Sequence, residues 1–289
     1  MAAPAVVAVF VVMGFPVLFN LYLSLTNASA LTGITDPDFV GLRNYETVFR
    51  DPRFQRALGL TFVWTVANLV LQLGIGLFLA LLLHDTRGRT STVLRALWVL
   101  PWLLPAASAF YVWRLIFSPD VGQVGSILAD LGVARNALGD PSLALWAVII
   151  AGSWKGYPFY MLMFYSGLAS VPRDLYDAAR VDGAGRWTVF RYIELPEIRG
   201  ITGLVALLGF VWIFNWMTPL LVMTEGGPGG ATTTLGIWIW LEAIRGFRLA
   251  NAAVASTVLV AIVMLILAAL FLYRIHRERQ SRPGTWGPS

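Results

Sequence analysis

The chain has 289 residues, of which 57% are hydrophobic and only 13% charged, with a mean hydropathy of +0.70. A soluble domain carries about 25% charged residues, so this composition excludes an ordinary globular domain and indicates an integral membrane protein. Cysteine is absent, which excludes disulfides, thiolate metal sites and thiol nucleophiles, and the net charge of +5 rests on arginines at segment ends rather than along one face, which argues against nucleic-acid binding.

In chain order, residues 4–25 give a first span: an uncharged run long enough to cross a hydrocarbon core of about 30 Å. A signal peptide is the alternative, but there is no basic leading region and the apolar run is too long. Residues 26–57 form an external loop. Aromatic and charged residues alternate from Phe39 to Thr61, which predicts an amphipathic helix at the interface, with a solvated surface helix as the plainer reading. Residues 58–83 give a second span, followed by a short basic turn, His84 to Arg89. The third, 92–117, is interrupted by Pro101 and Pro105, whose missing N–H groups free backbone carbonyls for other partners. Arg114 lies near its external end and reads as structural, snorkelling towards the surface. The fourth span is 141–165, the fifth 197–223, and the sixth 252–273. The fold class is thus all-α with six transmembrane helices, and the chain reads as one transmembrane domain over 1–289.

Between the fourth and fifth spans lies a polar segment, residues 171–196, that predicts two short helices. Pro172 and Asp174 are helix-start signals, proline suiting the first turn and an acid meeting its free N–H groups. Gly183 is a stop signal, because glycine takes the left-handed cap conformation cheaply. Ala184 to Tyr192 resumes helical spacing, with Trp187, Phe190 and Arg191 on one side. Asp177, Ala178 and Ala179 give the first helix a nearly flat face on which another protein can close.

No G-x-x-x-x-G-K-[ST] loop is present: the one lysine, Lys155, is followed by Gly156, so the chain is not its own P-loop ATPase. His84 and His276 sit at span ends without metal-spaced partners. No H-E-x-x-H or G-x-S-x-G motif occurs and no acidic pair lies inside a span, which argues against an intramembrane enzyme and an ion-coupled secondary transporter. The transport path is the better place for function. Lys155 lies mid-span, where a buried ammonium has to face the bundle interior or water. Its neighbours Gly152, Ser153, Trp154, Gly156, Tyr157 and Phe159 mix small, aromatic and polar groups. In the fifth span, Asn215 is flanked by Trp212 and Trp216, with Gly209 earlier on the helix. Aromatic faces stack on sugar C–H surfaces while Lys and Asn hydrogen-bond hydroxyls; the plainer readings are core packing for the rings and an interhelical hydrogen bond for Lys155.

The run Asp177-Ala178-Ala179, Gly183, Ile193 and Leu195-Pro196, at its fixed offsets, resembles the EAA loop of binding-protein-dependent ABC importer permeases, with Asp177 in place of the usual glutamate. The segment from Phe39 to Thr61 and the run from Leu100 to Leu128 are also similar to that family, and the Gly226-Gly227-Pro228 turn resembles the MalF-like, sugar-permease branch. The resemblance implies a type I ABC importer transmembrane domain whose residues 171–196 are the coupling helix. Asp177 then supplies a charge contact, Ala178 and Ala179 close approach, and Gly183 the turn. It implies a second permease subunit as heterodimeric partner, two ATP-binding cassette subunits inside and an extracytoplasmic solute-binding protein outside. ATP and magnesium belong to the partner ATPases, and this chain binds no cofactor. Location in a bacterial or archaeal cytoplasmic (inner) membrane follows, as does a basic leader ahead of the first span. Carried over by spacing, Gly152, Lys155, Gly156, Phe159, Gly209 and Ile213 fall on substrate-pocket positions. The expected solute is a sugar or oligosaccharide. A glycerophosphodiester or other anionic solute is the alternative that Lys155 raises, since lysine binds phosphate as a point charge.

Placing residues 171–196 inside gives the cytoplasmic side Arg87, Arg89, Arg95, Arg199, the four loop arginines and the four of the tail. About eight lie on longer external loops, a modest positive-inside bias that puts both termini in the cytoplasm.

Overall fold

A computed structural model describes residues 10–280 except 32, 34–36, 87 and 134–135. Arg87, Arg135, Arg282 and the start of the first expected span lie outside the described residues. So do the side chains of the remaining tail arginines and of His276. Among the described residues the chain is helical, broken only by turns and two isolated bridges, Thr26 with Phe39 and Ser29 with Gly33.

The helices are α1 (Phe15–Ser24, led by a π turn, Phe10–Gly14), α2 (Arg43–Arg50), α3 (Pro52–Asp85), α4 (Arg89–Leu103), α5 (Ala106–Ile116), α6 (Gln123–Asp130), α7 (Ala144–Ala169), α8 (Arg173–Val181), α9 (Arg186–Val189), α10 (Leu195–Phe214), α11 (Thr218–Thr224), α12 (Leu235–Trp240) and α13 (Leu249–Gln280). Further π turns sit at Phe190–Glu194 and Leu241–Arg245. Three stretches are long and apolar enough to cross a membrane: α3, the continuous rod from Arg186 to Phe214, and α13 as far as Leu272. A fourth is added if the bent pair α4–α5 is one span. α1 is a shorter apolar helix. α7 has the length, 26 residues, but its middle is polar around Lys155.

Two compact units form, residues 1–55 with 238–289, and residues 56–237. In the first, α1 lies along α13. Asn20 Nδ2 donates to Ala253 O and to Thr257 Oγ1, both at 3.1 Å. The loop after α1 is tied down by Asn44 Nδ2, which donates to Ser24 O and Thr26 O. Ala250 N–H donates to Ala28 O at 3.0 Å. Glu242, 4% exposed, accepts both arms of the Arg248 guanidinium at 2.6 Å, the bidentate geometry that best offsets the burial of a charge.

In the second unit, α3 and α7 share a core with α10, built on Ala80, Leu83, Tyr160, Met161, Phe164 and Ile198. α4 and α10 pack on α7, and α11 packs on α5. The close approach of α3 to α7 depends on Gly76, since a Cβ there would lie 2.6 Å from Tyr160 Cβ and 2.8 Å from Met161 N.

The third expected span is not one straight rod. α4 stops at Leu103, Leu104 and Pro105 are extended, and α5 leaves at 93°. Pro105 has no N–H to continue the ladder and holds the preceding residue out of the helical region, so the chain turns. The fifth span ends at Phe214, and α11 is a separate short helix rather than its continuation. Asn215 caps that end from within, its Nδ2 donating to Val211 O at 2.9 Å.

Candidate transport path and coupling segment

The path residues named from sequence separate into two groups. Gly152, Gly209, Ile213 and Tyr157 are buried, and Gly156 is half-buried against α3. A Cβ at Gly152 would lie 2.8 Å from Asn68 Oδ1 and 3.0 Å from the Trp64 ring; one at Gly156 would meet the Gln72 amide, and one at Gly209 the Tyr160 hydroxyl. These glycines let helices approach, the usual service of small residues between membrane helices.

Their counterparts on α3 were not legible as a site. Thr61, Thr65, Asn68 and Gln72 form a stripe at helical spacing, each buried to 2% exposure or less in an otherwise apolar helix. Each has a partner, as polar groups away from water require. Thr61 and Thr65 donate to the carbonyls four residues back at 2.7 Å, Asn68 Nδ2 to Trp64 O at 3.0 Å, and Gln72 Nε2 to Asn68 Oδ1 at 3.3 Å. From α7, Ser153 Oγ donates to Asn68 Oδ1 at 3.3 Å, and Trp64 Nε1 reaches Ile213 O at 3.1 Å. The spacing of these polar groups, every three or four residues, was the available signal.

The second group is open. Trp212 is 55% exposed, follows Leu204 and Leu208 along one face of α10, and lies beside Asn215, also exposed. Its ring centroid is 5.0 Å from that of half-buried Phe159, and Trp102, 47% exposed, is 6.4 Å from Phe159 on the other side. Trp102 was not singled out by sequence; it joins because α4 turns away just after it. Trp154 and Trp216 are half-buried in other ring contacts, with Trp113 and with Trp64 and Phe110.

Lys155 is only 6% exposed, and its Nζ donates to Trp102 O at 2.8 Å. Tyr157 Oη donates to Trp98 O at 3.1 Å, one turn earlier. The last carbonyls of α4 have no donor of their own where the helix is cut at Leu104–Pro105, and a cation at a helix C-terminus also meets the negative dipole end. Lys155 thus makes an interhelical hydrogen bond from α7 to the end of α4. Arg114 acts similarly, its Nη1 donating to Val222 O at 3.3 Å near the end of α11.

The first helix of the polar segment 171–196 and its stop fold as their signals predict, whereas the second is not a separate short helix: it starts at Arg186 and runs through the π turn Phe190–Glu194 into α10. Pro172 precedes α8, Asp174 stands in its first turn, and Gly183 adopts φ +68°. Ala184 N–H donates to Ala179 O at 2.9 Å and Gly183 N–H to Arg180 O at 3.2 Å, the paired bonds of a left-handed helix stop. Asp177 and Ala178 are exposed, whereas Ala179 is turned inward at 8% exposure. Asp177 Oδ1 accepts from Arg180 Nη1 at 3.0 Å on the surface. Val181, Trp187 and Tyr192 are exposed at 88%, 71% and 73%, and the Trp187 ring lies tilted against Phe190 at 5.5 Å. Ile193 and Leu195 are half-buried and Pro196 is exposed.

Beneath this segment lies a residue that sequence reading passed over. Glu194 is fully buried, and its Oε1 accepts from Arg186 Nη1 at 2.8 Å. Arg186 Nε donates to Asp85 Oδ2 at 3.1 Å, and Tyr176 Oη stands 3.5 Å from Glu194 Oε1. Burial, followed by the charge of Glu194, pushes the Tyr176 phenol up to about 12. Burial works against the Arg186 charge, but Glu194 and Asp85 hold its guanidinium more firmly protonated than usual.

The family described as the binding-protein-dependent transport system inner membrane component matches residues 72–282. The chain is 32% identical over 274 residues to the trehalose/maltose transport system permease protein MalF of Thermococcus litoralis, covering 94% of this chain and 90% of that protein. It is 31% identical over 275 residues to a probable ABC transporter permease, y4oQ, of Sinorhizobium fredii, covering 95% and 88%. It is 34% identical over 237 residues to the sn-glycerol-3-phosphate transport system permease UgpA of Escherichia coli, covering 81% and 80%. Among solved structures, a chain of a bacterial ABC transporter involved in import of the acidic polysaccharide alginate superposes with a TM-score of 0.81. That match has 19% identity and covers 97% of this chain and 94% of that one, a likeness of fold.

Proposed function

The chain belongs to the family of inner membrane components of binding-protein-dependent transport systems, and from that premise we propose that it forms half of a sugar or oligosaccharide pore. The observation that carries this reading is the open aromatic group Trp102, Phe159 and Trp212, whose ring faces suit the C–H surfaces of a sugar. The relation to a trehalose/maltose permease supports the same solute class.

In this reading six spans from this chain pair with a second permease, and the solute path runs between the two along the open face of α10 at Leu204, Leu208 and Trp212. A solute-binding protein delivers from outside. Two ATP-binding cassette subunits, holding ATP and magnesium, dock inside on residues 171–196, and this chain performs no catalysis. Both termini face the cytoplasm. Closure of the ATPases moves the docked segments by rigid-body rocking and opens the path to alternate sides. Lys155 serves the path indirectly, by holding the broken α4 whose last turn presents Trp102.

An anionic solute is the second reading, supported by the relation to a glycerol-3-phosphate permease. Co-purification from native membrane followed by ATPase assay against maltose, trehalose, glycerol 3-phosphate and alginate oligosaccharides separates the two. Stimulation by a neutral sugar is expected. Stimulation by the acidic solutes alone replaces the proposal with the second reading, and a chain that brings no ATPase subunit overturns both.

A further inference from the structure

The charged cluster beneath the polar segment has features that docking alone does not require. Glu194 ends the π turn that leads into α10, and its carboxylate is wholly enclosed. One oxygen holds Arg186 and faces the Tyr176 hydroxyl, while the other, Oε2, is buried with no hydrogen-bond partner among the described residues. Isolating a carboxylate this way is unfavourable unless the pairing is good, and removal of one partner of such a pair is more damaging than replacement of both. The Asp177–Arg180 pair on the surface of the same segment is by contrast a solvated contact of small energetic worth.

Three pieces of chain come together around this carboxylate: α8, the rod that runs from Arg186 into α10, and the end of α3. Tyr176 comes from α8, Arg186 opens α9, Glu194 belongs to the turn before α10, and Asp85 is the last residue of α3, reached through Arg186. His84, beside Asp85, adds a ring contact to Tyr176 at 5.7 Å. α8 is joined to α7 by only Ser170 to Pro172, and Gly183 breaks it from α9. The backbone by itself therefore gives α8 no stiff route to α10 or α3.

We infer that Glu194, with Arg186, is the positioning residue that passes displacement of the docking segment to α10 and α3. The inference rests on the reading of residues 171–196 as the ATPase-docking segment and deepens it. A load applied to the exposed faces of α8 and α9 reaches Glu194 through Tyr176 and Arg186. It then enters the rod that carries Trp212, and through Asp85 the helix that carries the buried polar stripe. The Tyr176–Glu194 contact bridges the break at Gly183, and Arg186, in the same rod as Glu194, carries the link on to Asp85.

Because the chain has no cysteine, a single Leu208→Cys on the open face of α10 puts one thiol in this chain, and its labelling on this subunit reports the movement without knowledge of the solute. The experiment uses the complete complex with its ATPase subunits in proteoliposomes. It measures the rate of thiol labelling by a maleimide before and after addition of a non-hydrolysable ATP analogue with magnesium. The analogue is expected to change labelling with Glu194 present. In Glu194→Gln, which keeps the shape and removes the charge, the response should shrink about fivefold while the ATPase subunits remain bound. Glu194→Asp should restore part of it. The double variant Glu194→Gln with Arg186→Gln, which also severs Arg186 from Asp85, should respond no more than the single one. Tyr176→Phe, which deletes only a hydroxyl, gives a test that does not disturb the ion pair and should weaken the response by a smaller factor. An undiminished response in both Glu194→Gln and Tyr176→Phe overturns the inference and leaves the docking reading standing. Absence of ATPase subunits from the unsubstituted complex removes the docking reading and the inference together.

Discussion

Lys155 illustrates how one side chain changes meaning once its neighbours are known. Sequence places an ammonium mid-span, which suggests an anion on the path; the structure places Nζ on Trp102 O at the cut end of α4. Removing that donor takes a part-buried hydrogen bond from the end of α4, a loss of about 1 kcal/mol. Lys155→Leu should accordingly lower the thermal stability of the complex and reduce uptake, whereas Lys155→Arg, which keeps a long cationic donor, should retain more of both. A stability profile unchanged by Lys155→Leu would remove the capping role. Gly209 shows the same principle in packing. Gly209→Ala drives a methyl into the Tyr160 hydroxyl and should destabilise by about 1–3 kcal/mol. Pairing it with Tyr160→Phe should recover part of the loss, because the colliding oxygen is gone. Equal melting temperatures for the single and double variants would show that the strain lies elsewhere.

At the scale of elements, the docking segment depends on its break as much as on its helices. Gly183 sits at φ +68°, where a side chain with a Cβ costs about 1–2 kcal/mol. Gly183→Val should therefore weaken retention of the ATPase subunits on co-purification without unfolding the spans, whose packing is remote from it. Asp177→Arg acts on the exposed face instead. It places like charge beside Arg180 and should disassemble or uncouple the complex while leaving the fold intact, as checked by ATPase retention against helicity. Wild-type transport in that variant counts against the docking assignment. The bend between α4 and α5 is an element-scale feature of another kind. Pro101 and Pro105 announce a break, but its 93° angle comes from the packing of α7 and α11 on either side.

For the molecule as a whole, class was written in composition: few charges, long apolar runs and arginines at their ends leave a membrane bundle as the stable solution. The polar segment 171–196 was equally legible, because proline, glycine and an acidic first turn act through local backbone geometry that needs no distant partner. The path was legible only in part. The sequence by itself named Phe159 and Trp212, but it could not say that Gly152, Gly209 and Ile213 are packed between helices, since side-chain facing in a helix that is apolar all round carries no clear periodic signal. Nor could it bring Trp102 beside Phe159, or Glu194 beside Arg186 and Tyr176. Those meetings depend on helix rotation and on the angle of a bend, which are decided by how α3, α4, α7 and α10 pack together. Local rules determined the elements of this protein; tertiary packing decided which of their side chains face one another.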